Sequence, residues 1–162
     1  MLPVKKEILS PFVTSAVNIL QMMAQVNPTV GEVTEKADKR TWGVVTGIIG
    51  MTGDKLEGNL SISFDEGSVL KIVGSMLMTE LTQVDAEVID AVGEIANMLC
   101  GGAKVGLHEL GYEFQMASPV MISGKDVALS QFGKVPVAVI PLTIPEGQLV
   151  IEIAMRERAG AK

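Results

Sequence analysis

The chain reads as an α+β fold in two pseudo-symmetric halves, with one antiparallel sheet and long helices packed over it. Three observations predict this. Each half opens with an amphipathic helix and continues with several strand-like segments. Two of those segments flank the tight turn Thr52-Gly53-Asp54, which reads as a hairpin. The two long helices also align without gaps: Asn18 falls on Asn97, Leu20 on Leu99, Ala24 on Ala103 and Val26 on Val105.

Residues 3–26 form the first predicted helix, with Ile8, Phe12, Val13, Ala16, Val17, Leu20 and Met23 or Ala24 on its buried side. Ser10-Pro11 reads as an N-cap with proline in the first turn, so the main helix is expected to start there, and Asn27-Pro28 ends it. Residues 30–37 alternate weakly and suit a sheet edge. Residues 42–51 are apolar on both faces and suit a central strand. Leu60, Ile62 and Phe64 alternate with Asn59, Ser61, Ser63 and Asp65, which predicts one buried and one wet face. A short helix follows from Asp65 to Met78, with Ser68, Lys71 and Ser75 expected outward. Beyond the long second helix, strands are expected at 112–122, 126–132, 135–142 and 148–155, with turns at Gly124 and Gly133 and a frayed tail from Arg156.

The second helix spans 84–110, with Asp85 as a candidate cap. Val88, Val92, Ile95, Leu99, Ala103, Gly106 and Leu110 recur at steps of three or four and mark its buried face. Asp90, Glu94, Asn97, Gly101, Lys104 and His108 recur at steps of four and three. At helical pitch those six fall within an arc of roughly 80°. A solvated face explains such a stripe, but it does not explain Gly101-Gly102. Two glycines inside a helix each cost about 1 kcal/mol relative to alanine. Close approach of another backbone or of a partner surface is a candidate reason.

A chain of 162 residues, 48% hydrophobic, can bury a sizeable core as one domain spanning 1–162. Aromatics are only 4% and methionines number ten, so that core is aliphatic. The net charge of −6 and the lack of a basic block argue against nonspecific nucleic-acid or anionic-membrane binding. No apolar run reaches the length of a membrane span, and no leader follows Lys5-Lys6, so a cytoplasmic protein is expected. Cys100 is the sole cysteine and lies next to the buried face, so it reads as core rather than nucleophile. His108, the sole histidine, has no companions at ligand spacing, so no metal site is expected. Gly101-Gly102-Ala103-Lys104 lacks the flanking strand and the glycine spacing of a phosphate loop.

Asp90, Glu94 and Asn97, at steps of four and three, resemble the motif of the CheC/CheX/FliY family of chemotaxis phosphatases. Pro119 follows Asn97 by 22 positions, one short of the family's usual spacing. The resemblance covers almost the whole chain and is nearest the CheX type, because only the second helix carries the motif. Ser15 stands where Glu94 stands, so Ser15 and Asn18 read as an inactive relic. The resemblance implies a CheC-like fold and hydrolysis of the phosphoaspartate on a CheY-like receiver domain. It implies that Asn97 orients the attacking water and that Glu94 pairs with the receiver's lysine. Mg²⁺ would sit on the receiver, so no cofactor of the chain's own is expected. A homodimer built by joining sheets is also implied. Asp90, Gly101 and Lys104 are candidate partner contacts along the same stripe. A receiver-binding adaptor without turnover, and a chain whose sheet only mediates oligomerisation, remain alternative readings of the same residues.

Overall fold

The computed structural model describes residues 4–129 and 135–158. Its elements run α1 (Lys6–Ala24), β1 (Thr29–Val30), β2 (Thr34–Glu35), β3 (Val45–Gly53), β4 (Leu56–Phe64), α2 (Glu66–Leu77), α3 (Ala86–Glu109), β5 (Phe114–Met116), β6 (Val120–Ser123), β7 (Val137–Ile144) and β8 (Gly147–Glu157). The expected strands at 112–122 and 126–132 are shorter than predicted. Ala117-Ser118-Pro119 splits the first into β5 and β6, both paired with β3, as proline's missing donor dictates. The second holds one bridge, Arg40 to Ala128, and its last residues, like the expected turn at Gly133, lie outside the described residues.

All strand pairings are antiparallel, and the sheet order is β1-β7-β8-β4-β3-β5. That order is symmetric about the β4–β8 contact. The β3–β4 hairpin of the first half receives β5 and β6 of the second, and the β7–β8 hairpin receives β1 and β2 of the first. The pseudo-symmetry read from the two helices is therefore visible in the sheet. The weak segment at 30–37 does lie at an edge, in two short pieces.

Register carries one apolar row across the centre: Ile49, Leu60, Ile153 and Ala138 lie side by side. These residues share one core with Val92, Ile95 and Leu99 of α3 and with Phe12, Ala16 and Leu20 of α1. The opposite face is not wet, contrary to expectation. Ser61 and Ser63 are buried there, with Thr46 Oγ1 2.8 Å from Ser63 Oγ and Gly43 N donating to Ser63 Oγ at 2.7 Å. Lys36 reaches over this face to Glu152 at 2.7 Å, and Leu129 packs on Val137 and Ala154. Connections between strands supply a cover that no single strand's alternation reveals.

Both helix-start signals before the later helices hold. Asp65 accepts from Ser68 N at 2.9 Å and Asp85 from Val88 N at 3.1 Å. Ser68 is buried rather than outward, because its hydroxyl donates to the Gln148 carbonyl at 2.9 Å. The first helix begins at Lys6, not at Ser10, and Pro11 sits inside it. Ile8 and Leu9 are buried, so packing of the first turn outweighs the break that proline favours.

Candidate functional site

The long helix carries the candidate residues, and its burial pattern sorts them. Val88, Val92, Ile95, Leu99 and Ala103 are buried as expected. At the last turn Leu107 is buried and Leu110 is exposed, so the buried stripe drifts by one position there. On the opposite face Asp90 and Glu94 are exposed and Asn97 is half-buried. No side-chain hydrogen bond or ion pair ties Glu94 or Asn97 to another of the described residues. Residues three apart on a helix have neighbouring side chains, so the carboxylate and the carboxamide form one polar spot facing solvent.

The two glycines separate. A Cβ at Gly101 would meet nothing within 4 Å. A Cβ at Gly102 would sit 2.2 Å from Ser15 Oγ, and one at Gly106 2.9 Å from Pro11 Cβ. Gly102 and Gly106 therefore let α1 cross close to α3, whereas a side chain at Gly101 would have open space around it. Ser15 is buried and donates to the Leu99 carbonyl at 2.8 Å, so the helix crossing consumes the hydroxyl that stands in Glu94's place. Asn18 is exposed.

Pro119 lies against the same helix. A Cβ at Gly93 would be 3.8 Å from Pro119 Cγ and 3.4 Å from Met121 Sδ. The sheet edge thus meets α3 one residue before Glu94. Lys104 is half-buried two turns beyond Asn97, and His108 is paired within the molecule, its Nδ1 2.8 Å from Glu113 Oε1. Cys100 is buried, and burial pushes its thiol up to about 11, against a weaker opposite pull from Lys104. It stays a thiol at neutral pH and is no nucleophile.

Among the described residues no group of three His, Cys, Asp or Glu side chains could hold a metal ion. No helix among them is long and apolar enough to cross a membrane. Two exposed apolar side chains went unread in the sequence: Met22 on α1 and Val105 on α3 are 75% and 65% exposed. A signal existed, because Met22 falls outside the buried stripe of the first helix.

The architecture is an antiparallel sheet under three helices, with an acid and an amide on the longest whose side chains have no partner among the described residues. Solved structures share this architecture. A CheC-like superfamily protein from Shewanella sp. PV-4 is 37% identical, covering 94% of this chain and 99% of its own, with a TM-score of 0.88. A CheX–CheY–BeF3–Mg²⁺ complex from Borrelia burgdorferi contains a similar chain at 26% identity and a TM-score of 0.78, covering 93% of this chain and 98% of its own. The CheY-P phosphatase CheX of Thermotoga maritima is 35% identical over 96 residues, 57% of this chain and 61% of that protein's length. Residues 45–143 match the family model of the chemotaxis phosphatase CheX, and the chain belongs to that family.

Proposed function

We propose that the protein hydrolyses the aspartyl phosphate of a CheY-like receiver domain. The observation that carries this reading is the pair of exposed Glu94 and half-buried Asn97, without side-chain partners among the described residues, on a helix of a CheX-family chain. The solved complex of a family relative with CheY supports the choice of partner.

Phosphoryl transfer asks little covalent work of a protein and much positioning. A carboxamide can accept a hydrogen bond from water and donate one to a phosphoryl oxygen at the same time. It carries no charge to repel the phosphate. Asn97 would hold a water in line with the acyl phosphate. The water oxygen bonds to phosphorus as the bond to the aspartyl oxygen breaks, releasing inorganic phosphate and the receiver's carboxylate. Glu94 would take the ammonium of the receiver's lysine in a charge-assisted hydrogen bond, fixing the amide's approach. The receiver supplies the Mg²⁺. Asp90, Gly101 and Lys104 would border the contact.

Residues 1–162 would make one domain of this kind, working in the cytoplasm. Dimerisation would use the free side of β6, where Val120 is 60% exposed. The experiment is phosphate release from a Mg²⁺-loaded, phosphorylated receiver with and without the protein. Acceleration supports the enzyme. Binding without acceleration leaves a non-catalytic receiver-binding module, and no binding removes both.

A further inference from the structure

Beside the motif, α1 and α3 leave a groove of about 600 Å³. Its floor is the close crossing itself, Ser15 over Gly102 and Pro11 over Gly106. At the motif end its walls are Ile19, Met22 and Met98, and Met98 follows Asn97 directly. At the other end stand Glu7 and Glu109. No lysine or arginine among the described residues lines it.

We infer that this groove is a second contact for the same receiver, taking an apolar side chain of the receiver flanked by lysine or arginine. The inference rests on the receiver as partner. Met98, on the groove wall, follows Asn97 directly, so a surface presenting its phosphate at Asn97 reaches Met98 and, across the groove, Met22. Met22 is 75% exposed in the isolated chain, so covering it removes apolar surface from water. The two carboxylates at the far end, in a chain of net charge −6, call for a basic flank. A second copy of this chain is a poorer occupant, since the acidic groove would meet another acidic surface. An anionic lipid surface is repelled for the same reason.

The test is the dissociation constant of the wild type, Met22→Asp and Glu109→Lys for the chemotaxis receiver of the same genome, loaded with Mg²⁺ and beryllofluoride. Both sites are exposed, so both variants are expected to fold, and circular dichroism checks this. Each substitution should weaken binding about tenfold, which equals about 1.4 kcal/mol. Glu109→Lys should also flatten the dependence on salt. Dissociation constants within twofold of wild type for both variants overturn the inference. So does a change in sedimentation with no change in receiver affinity, because a second copy is then the occupant. So does a wild type that does not bind the receiver. The measurement needs no turnover, so a phosphatase that proves inactive while the groove variants lose affinity refutes only the proposed hydrolysis.

Discussion

Gly101 and Gly102 stand side by side on α3, yet only the second touches anything inside the molecule. Gly102→Ala would drive a methyl group into Ser15, so the account expects a loss of about 1–3 kcal/mol in denaturant unfolding. Gly101→Ala has open space around it and should raise the stability of the isolated chain by up to about 1 kcal/mol while weakening receiver binding. A Gly101→Ala variant that binds as well as wild type would show that the partner does not come close there. The sequence announces that two glycines in a helix need a reason. It does not say which glycine serves which reason, because that depends on Ser15, more than eighty residues earlier. Cys100 offers a separate reading of the core. Its folded pKa of about 11 lies above the ordinary 9.0, so the stability it contributes is complete below pH 9 and is lost as pH rises towards 11. Unfolding curves between those values should fall more steeply for wild type than for Cys100→Ala.

At the scale of elements, α3 was the most legible part of the chain. Its cap, its buried stripe and its polar stripe all follow from local spacing, and Asp85→Ala should cost about 1 kcal/mol in thermal or chemical unfolding. The strands were legible as strands, and the β3–β4 hairpin was legible from its turn. Three features were not. The start of α1 escaped because Ile8 and Leu9 are held by tertiary packing, which overrides the local signal of Ser10-Pro11. The burial of Ser61 and Ser63 escaped because alternation within β4 distinguishes two faces without saying whether something covers the second. The cover includes Lys36 and its partner Glu152, which lie far apart in the sequence and meet because β2 and β8 both pair with β7. The groove escaped for the same reason: only the crossing of α1 with α3 brings Met22 and Met98 to one groove.

For the whole molecule, the candidate site faces outward, and the proposed hydrolysis divides the chemistry between two proteins. The candidate pair was readable from the sequence because both of its residues lie on one helix at a fixed step. The surface around it was not, because that surface is assembled from two helices and a sheet edge. If the receiver brings the metal, chelation should abolish catalysed phosphate release while leaving this chain's own melting temperature unchanged. The most direct measurement is the rate of phosphate release from a Mg²⁺-loaded, phosphorylated receiver, alone, with wild type and with Asn97→Ala. The account predicts that wild type accelerates release and that Asn97→Ala loses on the order of 10²- to 10³-fold of that acceleration, while still binding the receiver. An Asn97→Ala variant that binds and accelerates as well as wild type would contradict it.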